Sequence, residues 1–208
     1  MRLAHSRWPQ VLQYLEHCKG IIIPTGSTEQ HGPIGPIGTD ALLAEAIALA
    51  AAERGGWLVT PALTLGPAQF NLGFPGTIGL RAQTMMAVVG DVLEALAAQG
   101  FERFYFLNAH GANIATVNAA CQDFYALWSL GRRSGPVPQC RLRSWWDYPQ
   151  ADRMRKALYG DWEGLHATPS ELAMAMAVLG PDYPHDAAAQ AQVAQPPQPL
   201  PEGFARLH

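Results

Sequence analysis

The sequence is poor in cysteine, which limits the chemistry that its thiols can support. Its 208 residues include three cysteines, Cys18, Cys121 and Cys140, and no two of them have C-x-x-C spacing. A cysteine metal cage needs more thiolates at closer spacing, and an odd number of widely separated thiols does not indicate a disulfide framework. The cysteine usage therefore favours reduced thiols and a cytoplasmic protein.

Long apolar runs are also missing. A membrane-spanning helix needs about 18 or more consecutive apolar residues. The most apolar stretch, ALLAEAIALAAA at residues 41–52, is shorter and contains Glu45. The first residues, MRLAHSRWPQ, lack the apolar core of a secretion signal. The sequence thus predicts neither membrane insertion nor secretion.

An excess of positive charge is the third absence. The net charge is −3 and the pI is about 6.1, so no general electrostatic field attracts nucleic acid or an anionic membrane. Two small basic clusters, Arg132–Arg133 and residues 153–156, are better explained as solvated helix faces. With 49% hydrophobic and 15% charged residues, the composition is that of a globular domain with a sizeable core.

Predicted strands and helices alternate along the chain. Strands are predicted at residues 20–24, 57–60, 101–107 and 140–145, and helices at 8–17, 40–54, 83–99, 113–130 and 168–179. Such alternation implies a mostly parallel sheet with helices on both faces, a three-layer α/β/α fold. We expect a single domain over residues 1–180, followed by a tail or surface arm rich in Pro, Ala and Gln over residues 181–208.

Polar side chains gather after the predicted strands. The segment GSTEQHGPIGPIGTD, residues 26–40, follows the first strand and brings Glu29, His31 and Asp40, while His110 in NAHGAN follows the third strand. Residues two apart in an extended chain point to the same side, so Glu29 and His31 project together. Carboxylates and imidazoles without thiolates suit Zn²⁺, Mn²⁺ or Fe²⁺, and one aspartate can bridge two ions. Paired metal ions would hold a water as hydroxide near neutral pH and polarise a carbonyl.

Each of these four residues also has a purely structural interpretation. Asp40 could be an acid in the first turn of a helix, where the helix dipole favours it. His110 could be a core histidine bonded to the backbone, and Glu29 and His31 could be turn residues. One shared site explains four such coincidences at one sheet edge better than four separate causes do.

A later segment, DWEGLHATPSE at residues 161–171, contains His166 and Glu171. Within it, the run from Thr168 to Glu171 is a capping box with proline at the first helical position. From spacing alone, Glu171 is as readily a helix cap as an active-site residue.

Four motifs together, PTGSTEQHGP…GTD, FPGT, NAHGAN and HATPSE, resemble the creatininase family of creatinine amidohydrolases. That family includes formamide deformylases and the peptidase of mycofactocin maturation. The resemblance runs over about residues 21–179. It implies an α/β fold, two divalent metal ions (Zn, Mn or Fe), hydrolysis of non-peptide or unusual amide C–N bonds, and a homo-oligomer, often a hexamer.

The resemblance also implies roles for individual residues. Its metal ligands fall on Glu29, His31, Asp40, His110 and Glu171, with Asp40 bridging and Glu171 serving the second ion. His166 resembles the proton-handling histidine of the family. Trp162, together with Trp145 or Trp146, resembles the aromatic wall over the substrate.

The chain departs from the family pattern around the substrate. Before FPGT the family commonly has a serine and a histidine, where this chain has Ala68 and Asn71, and we expect Asn71 on the substrate side. Creatininase itself has a glutamate two residues after the histidine of the NAHGAN element, where this chain has Ala112. Creatinine is therefore not the expected substrate.

The predicted function is that of a two-metal amidohydrolase acting on a small-molecule amide. A metal-bridged hydroxide would attack the amide carbonyl and His166 would protonate the leaving nitrogen. Two alternatives stay open: a family member that binds metal and forms oligomers but has lost catalysis, and a peptidase or lactonase that uses the same centre.

Overall fold

Strand β1 (Gly20–Thr25) forms the centre of the fold, and all of its residues are buried. Its isoleucines favour an extended backbone, and burial on both faces is typical of an inner strand in a parallel sheet. In the computed structural model, which describes residues 1–181 and Tyr183, β1 pairs with β2 (Leu58–Val59) and β3 (Arg103–Asn108). β4 (Gln139–Ser144) extends the sheet beyond β3, and all pairings are parallel in the order β2-β1-β3-β4.

Helices cover both faces of this sheet. They are α1 (Trp8–His17), α2 (Thr39–Gly55), α3 (Ala82–Ala98), α4 (Asn113–Ser129), α5 (Pro149–Tyr159) and α6 (Pro169–Leu179). Ile21 and Ile23 point into the core made with α3 and α4, whereas Ile22 points to the opposite face and packs with α2. α6 lies beside α2. The predicted three-layer α/β/α fold is confirmed.

Helix α5 was not predicted from the sequence. It has no buried residue and is rich in charged and polar side chains, so apolar residues mark it only weakly in the sequence. The basic cluster at residues 153–156 lies on this helix, as the interpretation of a solvated helix face requires. Arg132 and Arg133 instead follow the end of α4, so that interpretation was wrong for this second cluster.

Two further predictions concern membrane insertion and the tail after residue 180. None of the helices in the described residues is both long and apolar enough to cross a membrane. The predicted tail at residues 181–208 lies outside the described residues except for Pro181 and Tyr183, whose hydroxyl donates to the carbonyl of Ile34 at 3.1 Å. The domain boundary near residue 180 stays a prediction.

The loop after β1 passes very close to the start of α2. A Cβ atom added at Gly26 would lie 2.4 Å from the backbone nitrogen of Ala41 and 2.6 Å from the carbonyl carbon of Asp40. Those atoms belong to a helical backbone, which cannot yield in the way a flexible side chain can. Glycine at position 26 therefore lets the end of the central strand touch the first turn of α2.

We expect Gly26→Ala to lower the free energy of unfolding by about 1–3 kcal/mol, the usual cost of overpacking a tight contact. Urea unfolding of the purified variant measures this. Gly90→Ala is the matched control, because an added Cβ there meets no heavy atom within 4 Å and Gly90 lies inside α3. That control should be neutral or gain about 0.5–1 kcal/mol. Equal unfolding midpoints for the two variants would contradict the steric argument.

Candidate metal centre

Four of the predicted ligands meet at the carboxyl edge of the sheet. Glu29 and His31 lie in the loop after β1, Asp40 lies in the first turn of α2, and His110 follows β3. Their exposed fractions are 0% for Glu29, 0% for His31, 1% for Asp40 and 4% for His110. The structure thus brings two carboxylates and two imidazoles together out of contact with solvent.

Asp40 stands between the two imidazoles. Its Oδ1 lies 3.0 Å from His31 Nε2, and its Oδ2 lies 3.1 Å from His110 Nδ1. His110 Nδ1 is also 3.2 Å from Glu29 Oε1. The two oxygens of one carboxylate therefore face two different nitrogen atoms, which is the arrangement that a bridging ligand requires.

Backbone carbonyls hold the outer nitrogen of each imidazole ring. His31 Nδ1 is 3.1 Å from the carbonyl oxygen of Glu29, and His110 Nε2 is 2.7 Å from that of Pro67. Since a carbonyl only accepts, each of these nitrogens carries the proton and donates it. In the neutral ring, the lone pair then lies on the inner nitrogen, as it does in metal-binding histidines.

Several inner atoms of the cluster lack hydrogen bonds. Among the described residues, both carboxylate oxygens of Glu29, His31 Nε2 and Asp40 Oδ2 are buried without a regular hydrogen bond, although all but Glu29 Oε2 lie 3.0–3.2 Å from an oppositely charged group of the cluster when the imidazoles are protonated. Burying carboxylate oxygens is costly unless a positive charge, from protonated imidazoles or from a cation, neutralises them. These atoms therefore fit a bound metal ion better than a closed hydrogen-bonded core.

Three sets of possible ligand atoms lie within 4.8 Å of one another: Glu29 with Asp40 and His110, His31 with Asp40 and Glu171, and Glu29 with His31 and His166. Asp40 is common to the first two sets. Those two sets together contain the five ligands that the sequence predicted.

The charges of the cluster depend on one another. Burial would raise the pKa of Asp40, but the neighbouring His110 and His31 imidazoles hold it below its usual value. Burial would lower the pKa of His110, yet Asp40 and Glu29 raise it to about 10. Burial would also lower the pKa of His31, and Asp40 raises that pKa instead. In the absence of a cation, protons on the imidazoles thus balance the carboxylates, and a metal ion would displace them.

Glu171 takes part in the helix cap and in the acidic cluster at once. Its Oε2 accepts from the backbone N–H of Thr168 at 2.8 Å, and Thr168 Oγ1 accepts from the N–H of Glu171 at 3.2 Å. Oε1 takes no part in this capping box. Burial, and then the charge of Asp40, raise the pKa of Glu171. The two interpretations of this residue are therefore compatible.

His166 lies on the loop before α6 and faces the same cluster. Its Nε2 is 2.9 Å from the carbonyl oxygen of Gln30, and its Nδ1 is 3.5 Å from Glu29 Oε1. Burial, and then the neighbouring His31, lower its pKa. Nε2 thus donates to Gln30, and Nδ1 is the nitrogen turned towards the cluster.

Gln30 is a contact that the sequence reasoning missed. Its side-chain Nε2 donates to Asn71 Oδ1 at 2.9 Å and lies 3.1 Å from His166 Nε2. Gln30 has no ionisable group, and these contacts are with residues distant in sequence, so no local pattern marks it. Asn71 is buried behind His166 and does not line the cavity described next.

A cavity of about 710 Å³ opens over the cluster, a volume typical of small-molecule sites. Its aromatic and apolar walls come from Trp145, Trp146, Phe70 and Leu165, and its acidic floor from Glu29, Asp40 and Glu171. Trp145, Trp146 and Ala112 all line this cavity, and the role of the tryptophans as a wall over the substrate stays a prediction. Trp162 is not among the lining residues, and 86% of it is exposed.

Comparison with known proteins gives a family match over nearly the whole chain. The family model for creatininase (creatinine amidohydrolase) matches residues 4–207. The mycofactocin precursor peptide peptidase of Mycobacterium ulcerans is 32% identical over 130 residues, which are 58% of this chain and 48% of that protein. The 3-dehydro-scyllo-inosose hydrolase of Thermotoga maritima is 28% identical over 198 residues, 93% of this chain and 60% of that protein. The chain thus matches about half to three fifths of the length of these curated relatives.

Solved creatininases share the fold. A creatinine amidohydrolase (creatininase) superposes with a TM-score of 0.70 at 26% identity, covering 79% of this chain and 64% of that one. A structure described as creatininase Mn gives 0.69 at 27% identity, over 79% and 65% of the two chains. A creatininase variant of Zn-Zn type gives 0.69 at 27%, over 79% and 64%. With the family model matching nearly the whole chain, the protein belongs to the creatininase family.

Proposed function

We propose that the protein is a metal-dependent amidohydrolase that cleaves the C–N bond of an amide, a cyclic amide or a formamide. One observation carries this proposal: the two oxygens of buried Asp40 lie 3.0 and 3.1 Å from two different imidazole nitrogens. The named relatives, a peptidase and a hydrolase, support hydrolysis as the class of reaction.

The residues present fit two divalent ions. Glu29, Asp40 and His110 would hold one ion, and His31, Asp40 and Glu171 the other. Imidazole and carboxylate ligands suit Zn²⁺, Mn²⁺ or Fe²⁺, and creatininase structures described by Zn or Mn support the first two. When bound, such ions supply a water that loses a proton near neutral pH and a positive charge that polarises the carbonyl of the substrate.

His166 is the residue placed to move protons in this reaction. Its Nε2–H is engaged by the carbonyl of Gln30, so Nδ1, 3.5 Å from Glu29 Oε1, is the atom that exchanges protons with the reactants. An amine leaves an amide only after its nitrogen is protonated. His166 Nδ1 would take the proton that the attacking water loses and pass it to the leaving nitrogen. Trp145 and Phe70, on the walls of the cavity, limit the access of further water.

A peptide bond is a second candidate for the scissile amide. The 32% identity with a mycofactocin precursor peptide peptidase favours it. The position of Ala112 on the cavity wall supports a substrate other than creatinine. A panel of formamides, cyclic amides and short peptides tests both candidates, and no turnover of any of them would favour a metal-binding member that has lost catalysis.

Homo-oligomer formation, with a hexamer as the expected state, and a cytoplasmic location remain predictions. Exposed apolar side chains support the first, since 99% of Leu165 and 86% of Trp162 are accessible in the single chain. Surfaces of this kind are commonly covered in an assembly.

We expect about two equivalents of divalent metal per chain, and we expect Asp40→Ala to lose both, because its carboxylate serves both ligand sets. His31→Ala should lose mainly one, since His31 belongs to only one of those two sets. Elemental analysis of the proteins after purification and dialysis measures this. Full metal content in Asp40→Ala would end the idea of a shared ligand.

We expect His166→Ala to keep its metal content but to lose about 10²–10⁴-fold in turnover, the usual contribution of a general acid or base. Activity on the substrate found in the panel and metal content are measured on the same sample. His17→Ala, at the exposed end of α1, is the control and should leave both unchanged. Loss of one metal equivalent in His166→Ala would instead make His166 a ligand, as its set with Glu29 and His31 permits.

The two roles of Glu171 can be separated with a pair of variants. Glu171→Gln keeps a side-chain oxygen for the cap but replaces a charged ligand, so metal content should fall while the stability of the metal-free protein changes little. Thr168→Ala removes the cap alone and should cost about 1 kcal/mol with the metal retained. Thermal unfolding with and without chelator, alongside metal analysis, measures both. Normal metal binding by Glu171→Gln would leave Glu171 with the cap only.

A further inference from the structure

The cavity contains one side chain that the reaction described above does not use. Arg155 projects from α5 and borders the same space as Glu29, Asp40 and Glu171. It is the only lysine or arginine among the described residues that line this cavity. Its side chain is 18% exposed, so most of it is enclosed by protein.

Arg155 is held in place from two sides. Its Nε donates to Glu163 Oε1 at 2.6 Å, and its guanidinium lies 5.1 Å from the centre of the Trp145 ring. Glu163 is itself buried and accepts from the hydroxyl of Ser170 in the first turn of α6. A guanidinium fixed in this way loses little conformational freedom when it binds a ligand.

The outer edge of the guanidinium has no partner. Nε–H is used by Glu163, but neither terminal nitrogen of Arg155 makes a hydrogen bond or an ion pair with any described residue. These nitrogens present parallel N–H donors in a planar fork that matches the two oxygens of a carboxylate. Glu163, bound side-on at Nε, leaves that fork intact.

We propose that Arg155 binds a carboxylate of the substrate, so that the substrate class is an amide that carries a carboxylate near its scissile bond. This inference rests on the proposed function for the hydrolytic step. A carboxylate fits better than a phosphate, because a phosphate group usually gathers several cationic or N–H donors and the described wall offers only Arg155. With two ions bound, the floor of the cavity is taken by the reacting amide group and the attacking water, which leaves the wall at Arg155 as the place for the charged end.

A structural role for Arg155 would produce a different result. Through Glu163 and Ser170, Arg155 links α5 and α6 to the loop that carries His166. If that link were the whole function of Arg155, its removal would displace His166 and weaken the binding and turnover of every substrate alike. If Arg155 instead recognises a carboxylate, its removal would weaken only the binding of substrates that carry that charge.

The test uses a pair of probes, N-formylphenylalanine and N-formylphenylalaninamide, which differ only in carboxylate against carboxamide. Their dissociation constants are measured with the metal-loaded protein by titration calorimetry, and kcat/KM is measured for hydrolysis of each formamide. We expect the wild type to bind the carboxylate about 10–100-fold more tightly, as hydrogen bonds to a charged group allow. Arg155→Gln should abolish that preference and leave binding of the carboxamide nearly unchanged.

Three further variants complete the test. Lys156→Gln removes a cation from the exposed side of the same helix and should keep the preference. Glu163→Gln keeps an acceptor for Arg155 Nε, so any change in binding affinity should be the same for both probes. Arg155→Lys keeps the charge without the fork, so we expect an intermediate preference for the carboxylate probe. This variant replaces Arg155→Gln in the comparison if Arg155→Gln does not fold.

Two outcomes overturn the inference. In the first, the wild type binds both probes equally or binds neither. In the second, Arg155→Gln weakens the binding of both probes by the same factor. A failure of the proposed function is distinguishable from these. In that case the wild type hydrolyses no compound of the amide panel, while the Arg155-dependent preference for the carboxylate persists in calorimetry and supports the anion site alone.

Discussion

The carboxylate of Asp40, enclosed between two imidazoles, is the constraint on which the site depends. Its burial is tolerable only because positive charge stands at both of its oxygens, whether from protons on the histidines or from metal ions. The same need explains why Asp40 opens α2, where backbone N–H groups and the helix dipole favour a negative charge. It also explains the glycine at position 26, since any larger residue would push the central strand away from that first turn.

Backbone carbonyl groups around the candidate ligands fix the orientation of the imidazole rings. The carbonyls of Glu29 and Pro67 orient the two imidazoles, and the carbonyl of Gln30 orients His166. Two of these carbonyls belong to the loop after β1, so that loop both supplies ligands and aims the rings of its neighbours. A change in its backbone path would disturb the candidate centre even where every ligand residue is kept.

Much of this arrangement could be predicted from the sequence, for identifiable reasons. Runs such as Ile21–Ile23 indicate buried parallel strands, and such strands place the residues that follow them at one edge. Helix α5 and Arg155 were missed because that helix is rich in charged and polar residues, and the contacts that give Arg155 its position come from residues outside the helix. The resemblance to a family suggested Trp162 as part of the wall, but in the single chain this side chain points to solvent.

The separation of the site along the sequence has an evolutionary consequence. Four of the candidate ligands lie between residues 29 and 110, in the loop after β1, in the first turn of α2 and after β3. Trp145, Trp146, Arg155 and His166 instead lie on the stretch between β4 and α6. Within that stretch, α5 has no buried residue and is joined to its surroundings by few polar links such as the one to Glu163. Mutations on α5 can therefore accumulate with little damage to the core, and they alter the wall of the cavity while the candidate ligands stay fixed.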